Sequence, residues 1–128
     1  MTQKGADRTA KEPAGPNDEQ AEISAVLVAL ADPTRRQLLD VLVAQGNASA
    51  TTLAGQLPVS RQAVVKHLTV LQDAGLVVGG RAGREVLYRV QPSRLDASAR
   101  WLGALAATWD RRLAAIKRIA EAAENTEA

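Results

Sequence analysis

Apolar positions recur at helical spacing through the first three-fifths of the chain. The pattern then switches briefly to a strand-like run and returns to helical spacing. Ile23, Val26, Leu27 and Leu30 fall on one stripe, which predicts a first helix from about Glu19 to Leu30. Asp32 then stands before Pro33, a capping carboxylate followed by a residue suited to the first helical position. The second helix is predicted from Pro33 to about Gln45. Leu38, Val41 and Leu42 form its inner face, with Leu39 on the flank, and Gly46-Asn47 stops it. Ser49 can cap a short third helix over Ala50 to Leu57, with Leu53 and Leu57 inward, and Pro58-Val59 breaks it. Ser60 can cap a fourth helix reaching about Ala74. Its residues Val64, Leu68 and Leu71 lie at i, i+4 and i+7, and Gly75 ends it.

The period then changes. Leu76-Val77-Val78 and Glu85-Val86-Leu87-Tyr88-Arg89-Val90 are β-prone runs around Gly79-Gly80-Arg81-Ala82-Gly83-Arg84, which predicts a hairpin with a six-residue turn. Pro92 and Ser93 open a long last helix to about Ala123. Leu95, Leu102, Trp109 and Ile116 are spaced by sevens in it, with Leu105, Ala106, Leu113 and Ala120 beside them. The expected fold is mainly α with a small β-hairpin, in the order α-α-α-α-β-β-α. Residues 19–123 form one domain, residues 1–18 a polar disordered tail with two prolines, and residues 124–128 a frayed end.

Composition narrows the chemistry. At 128 residues the chain is one domain's length, and its 2% aromatic content makes the core aliphatic. Cysteine is absent, which excludes disulfides and thiolate metal sites. A single histidine, His67, excludes multi-histidine metal sites. The longest apolar run, Ala25 to Ala31, falls far short of the ~18 residues of a membrane span, and the N-terminus has no apolar signal region. A cytoplasmic location is therefore expected. The formal charge is only +2, but residues 60–94 hold six bases and two acids while the rest of the chain is nearly balanced. A local basic excess of that kind suits a polyanion.

Residues 49–75 followed at once by the hairpin form a helix-turn-helix with a wing. With Val64, Leu68 and Leu71 inward, the outer face of the fourth helix presents Ser60, Arg61, Gln62, Val65, Lys66 and Thr69, with His67 at its edge. These are mostly donors and cations at the helix end that carries a partial positive charge, an end suited to phosphate and to a major groove. Gln62 can read adenine through a bidentate contact, Arg61 can read guanine or hold phosphate, and Lys66 suits phosphate. Arg81 and Arg84 repeat the sign on the wing. Taken singly, each of these residues reads better as part of a solvated surface. Their combination carries the interpretation.

Three segments resemble the ArsR-type winged-helix repressors. Ala29-Leu-Ala-Asp-Pro-Thr-Arg-Arg-Gln-Leu-Leu39 is similar to their second-helix signature, Ser60-Arg-Gln-Ala-Val-Val-Lys-His-Leu through Val78 to their recognition helix and following strand, and Gly83 to Val90 to their wing. The resemblance covers roughly residues 22–92. It implies a homodimeric transcription factor, usually a repressor, that binds a palindromic operator. It also implies DNA contacts by Ser60, Arg61, Gln62, Lys66 and His67 on the recognition helix and by Arg81 and Arg84 on the wing. Val65 stands where the family often has a small hydroxyl residue, so a backbone contact there is lost or replaced by apolar contact with a thymine methyl. The metal-binding cysteines and histidines of the metal-sensing members are missing. Asp96 and Asp110, fourteen residues apart, are separated by roughly 21 Å of helix. No cofactor, no metal and no transition-metal response are expected.

A last helix of about 30 residues, roughly 45 Å, is too long for a body of this size to cover. Leu102, Leu105, Trp109, Leu113 and Ile116, with Trp101 nearby, make a wide apolar surface, expected to be buried against a second copy with Ile23 and Leu27 of the first helix contributing. A small apolar effector between the last helices near Trp101 and Trp109, or no effector at all, both fit. Two other functions compete with this reading. A winged-helix protein–protein module without DNA binding calls for an apolar or acidic recognition face. Catalysis has little support: Ser60 and His67 are about 10 Å apart along one helix, and Gly79-Gly80 lacks the Lys-Ser/Thr of a phosphate loop.

Overall fold

The structure, a computed structural model, describes residues 16–127. Five helices and one hairpin follow in the order α1 (Pro16–Leu30), α2 (Pro33–Gln45), α3 (Ala50–Ala54), α4 (Arg61–Asp73), β1 (Val77–Ala82), β2 (Glu85–Val90) and α5 (Ser93–Glu127).

Local chemistry accounts for most of the boundaries. The Asp32 carboxylate accepts from the backbone N–H groups of Thr34 (2.7 Å) and Arg35 (3.3 Å) and so caps α2, with Pro33 as its first residue. Ser49 accepts from Thr52 N at the start of α3, and Ser60 from Ala63 N at the start of α4. Helix α4 ends in a Schellman arrangement. Gly75, at φ 78°, donates to the Gln72 carbonyl, and Leu76 N donates to the Leu71 carbonyl, with both leucines buried.

The core is aliphatic, as composition required. Val26 and Ala29 of α1, Leu38 and Leu42 of α2, Leu53 of α3, and Val64, Leu68 and Leu71 of α4 are buried together with Leu76 and Val77. Helix α5 joins this body only through its first half, which packs along α1 and forms an Arg94–Glu22 ion pair at 3.5 Å.

Several boundaries differ from the sequence expectation. Helix α1 begins at Pro16, so residues 16–18 of the expected tail are helical; residues 1–15 lie outside the described residues. Helix α5 continues through Glu127, past the expected end near Ala123. Alanine and charged residues are good helix formers, and nothing in Ala120-Glu-Ala-Ala-Glu stops a helix. Helix α3 stops at Ala54, because Gly55 follows and ends it before Leu57 is reached. The hairpin is longer and tighter than expected. Its register runs from Val77↔Val90 to Ala82↔Glu85, so Gly79, Gly80 and Arg81 are strand residues and only Gly83-Arg84 forms the turn. Gly83 supplies the positive φ (66°) that a two-residue hairpin turn needs. A side chain at Gly79 would press on Tyr88 and Val86 at 3.1 Å, so the glycine lets those side chains cross the strand.

Ile23 was expected at a dimer interface. It is 3% exposed within its own chain, so it belongs to the packing between helices and contributes no free surface. Its helical neighbours Leu27 and Val28 point outward instead, at 37% and 65%.

Candidate nucleic-acid interface

The site is built from three pieces of backbone: α3, α4 and the wing. Helices α3 and α4 pack as a pair across residues 55–60, and buried Leu53, Val64 and Leu68 fix their crossing. The wing is tied to the helices by a backbone bridge that the sequence reading missed. Ala48 N donates to the Tyr88 carbonyl (3.1 Å) and Tyr88 N to the Ala48 carbonyl (2.9 Å), so the stretch before α3 acts as a single-residue third strand. This bridge sets the hairpin beside α3 and α4.

Between them lies a groove of about 460 Å³, lined by Ser49, Ala50, Thr51, Arg61, Val65, Arg84, Glu85, Val86 and Tyr88. Arg61 and Arg84, predicted from separate motifs, both face it. Arg61 is held there because its Nε donates to Thr51 Oγ1 at 3.1 Å. Thr51 had not been singled out, since nothing in the spacing of α3 announces a contact ten residues on. Ser60 at the cap of α4, Gln62, Lys66 and Thr69 on it, and Arg81 on β1 are exposed. Thr69 spends its hydroxyl proton on the Val65 carbonyl one turn back (3.0 Å).

Two predicted site residues are placed differently. Val65, expected on the exposed face, is half-buried and packs against the core while lining the groove. His67 lies on the flank of α4 opposite Arg61 and Val65, turned toward α2. It is half-buried, and its Nδ1 is 3.3 Å from Arg35 Nη1. Arg35, itself unpredicted, also donates from Nε to the Ala29 carbonyl at 2.7 Å and from Nη2 to the Val28 carbonyl at 3.4 Å. Its Nη1 is 3.8 Å from Asp32 Oδ2. Partial burial pushes the Asp32 carboxyl up. The N–H groups of Thr34 and Arg35, with the charge of Arg35, more than offset this and leave its pKa below the ordinary value.

Two further cavities lie among the described residues. Besides the groove, one of about 330 Å³ lies between α1 and α4, lined by Ala25, Val28, Val70 and Ala74. Another of about 370 Å³ is lined by Leu39, Val43, Leu76, Val90 and Leu95. Neither Trp101 nor Trp109 lines any of the three.

Residues 30–79, the span from the end of α1 into the wing, match the family model described as a helix-turn-helix domain. The HTH-type transcriptional regulator NmtR of Mycobacterium tuberculosis is 41% identical over 78 residues, which is 59% of this chain and 64% of NmtR. The chain thus spans less than two thirds of that relative. The transcriptional repressor SdpR of Bacillus subtilis is 31% identical over 77 residues, 60% of this chain and 84% of SdpR. Among solved structures, an ArsR-like transcriptional regulator from Rhodococcus sp. RHA1 superposes with a TM-score of 0.70 at 49% identity, covering 78% of this chain and 93% of its own. With helix order, wing and sequence agreeing over this span, the chain belongs to the ArsR-type winged helix-turn-helix regulators.

Proposed function

We propose that this protein is a sequence-specific double-stranded DNA-binding transcriptional regulator, acting as a homodimeric repressor on a palindromic operator. The single observation that carries this reading is the groove between α4 and the wing. Two arginines from separate elements, Arg61 and Arg84, face one channel, while Gln62 and Lys66 stand exposed beside it. A phosphodiester backbone in that channel places the outer face of α4 in the major groove and the wing tip on the adjacent groove or backbone. In this arrangement Lys66, Arg61, Arg81 and Arg84 hold phosphate, the Ser60-capped end of α4 offers free backbone N–H groups, and Gln62 reads a base edge.

The second copy is supported by α5. Leu102, Trp109, Leu113 and Ile116 are between 45% and 63% exposed, a continuous apolar face on a helix that leaves its own body behind. Leu105 on the same helix is half-buried, and Leu27 of α1 is exposed. Ile119, at 70%, extends the same face one turn beyond the residues singled out in the sequence. The proposal includes no transition-metal response. The chain has no cysteine, and among the described residues no group of three or more His, Cys, Asp and Glu could hold a metal ion. A protein–protein module is the weaker reading, because the face that would dock carries cations and amides.

Selection of bound fragments from random genomic DNA tests the proposal. Enrichment of an inverted repeat with half-sites about one helical turn apart is expected. Recovery of no motif, with binding to random duplex as tight as to any enriched fragment, overturns it.

A further inference from the structure

We propose that His67 acts as a positioning residue and does not read DNA: its Nδ1 accepts a hydrogen bond from Arg35, and that bond locks the recognition helix α4 to the end of α1. The inference rests on the DNA-binding reading above and assigns a role within it to two side chains.

A guanidinium has five N–H donors and no acceptor, so the 3.3 Å contact between Arg35 Nη1 and His67 Nδ1 is a hydrogen bond only if Nδ1 carries a lone pair. The ring proton then sits on Nε2, which has no partner among the described residues and is not buried. At 100° per residue, His67 lies roughly 70° from the middle of the Val64–Leu68–Leu71 stripe, nearer the core than the outer face of Gln62 and Lys66. It stands on the α2 side, away from the groove that Arg61 and Val65 line. Geometry therefore directs the side chain at the protein.

Arg35 is the more informative partner. One guanidinium donates to the carbonyls of Ala29 and Val28 at the last turn of α1, lies beside the Asp32 carboxylate that caps α2, and reaches His67 on α4. Helix C-terminal carbonyls are unsatisfied within their helix and attract cations. Arg35 uses that attraction to join three helices at one point, and its side chain is only 15% exposed. The same α1 turn carries exposed Leu27 and Val28, the latter at the cavity between α1 and α4. The Arg35–His67 bond thus connects the helix that offers apolar surface to a second copy with the helix that offers donors to DNA.

Two amide substitutions separate this role from a DNA contact. In His67→Asn the amide oxygen stands near the Nδ1 position and can accept from Arg35. In His67→Gln the amide reaches the Nε2 position and can donate outward. Operator affinity is measured for both, for Arg35→Met, for Arg35→Lys, which keeps a donor, and for the double variant Arg35→Met/His67→Gln. Expected are near-wild-type binding for His67→Asn, partial rescue by Arg35→Lys, and losses of about tenfold for His67→Gln and Arg35→Met, the scale of one charge-assisted hydrogen bond. The double variant should bind no more weakly than either single one. Retained affinity in His67→Gln with loss in His67→Asn places the contact at Nε2 and overturns the proposal. Equal loss in both assigns the effect to ring packing and overturns it as well.

The nitrogen resonances of the neutral imidazole in the wild-type chain give an independent reading, with Nδ1 unprotonated as the expected result. A proton on Nδ1 overturns the proposal even if a variant fails to fold. Failure of the wild-type chain to bind any duplex preferentially would instead count against the regulator reading, and the resonances would still decide the Arg35 bond.

Discussion

Gln62 and Lys66 are one turn apart on α4 and both exposed, yet their chemistry separates them. An ammonium is a point charge without base preference, whereas an amide can donate and accept at once on the edge of adenine. Lys66→Ala should weaken binding to all duplexes alike and lower the slope of log affinity against log salt by about one. Gln62→Ala should leave that slope alone and cost about 1–3 kcal/mol on the best site, with relaxed preference at one base pair. Titrations of operator and random duplex at several salt concentrations check both. Asp32 makes a different kind of prediction. Its carboxyl is held below its ordinary pKa in the folded chain, so its contribution to stability is present above the unfolded-state pKa and is lost as pH falls through the lowered folded value. Asp32→Asn should therefore be less stable than wild type near neutrality, with the gap closing in acid, as thermal melts across that range would record.

At the scale of elements, the wing begins where α4 stops, and Gly75 makes the join. Its φ of 78° disfavours side chains, and a Cβ there would meet Arg94 Cδ at 2.5 Å. Gly75→Ala should cost roughly 1–2 kcal/mol for the left-handed backbone alone. It should also displace Arg94 from Glu22, its ion-pair partner on α1, and a lowered melting temperature would report the combined loss. This join was legible before the structure, because glycine after a periodic apolar run is a local signal. So were the caps Asp32, Ser49 and Ser60 and the buried stripe of α4. Less legible were contacts between elements far apart in sequence. Nothing local to Arg35 marks His67, thirty-two residues on, as its partner, and nothing local to Ala48 marks Tyr88. Val65 was misplaced for a related reason. The helical wheel puts it on the flank, and only the position of the wing decides that the flank is half covered.

The whole molecule is unbalanced as a single chain. Helix α5 is 35 residues long, about 52 Å, yet only its first half packs on α1. Trp109, midway along the helix, and Leu113, Ile116 and Ile119 beyond it are each more than 60% exposed, and leaving four such side chains in water forgoes about 1.5–3 kcal/mol apiece. A twofold pairing through these residues recovers that energy and presents two recognition helices to one face of a duplex. Ile116→Glu combined with Leu113→Glu places carboxylates where the partner's apolar face would lie, without touching any buried residue of the protomer. Light scattering should then give a mass near 13.5 kDa in place of twice that value, while helical circular dichroism is largely retained. Operator affinity should fall by about a hundredfold or more, because each half-site must then be bound without the effective concentration that linkage supplies. A variant that became monomeric and still bound the full operator as tightly as wild type would separate dimerisation from recognition and confine the reading to a single α4 and its wing.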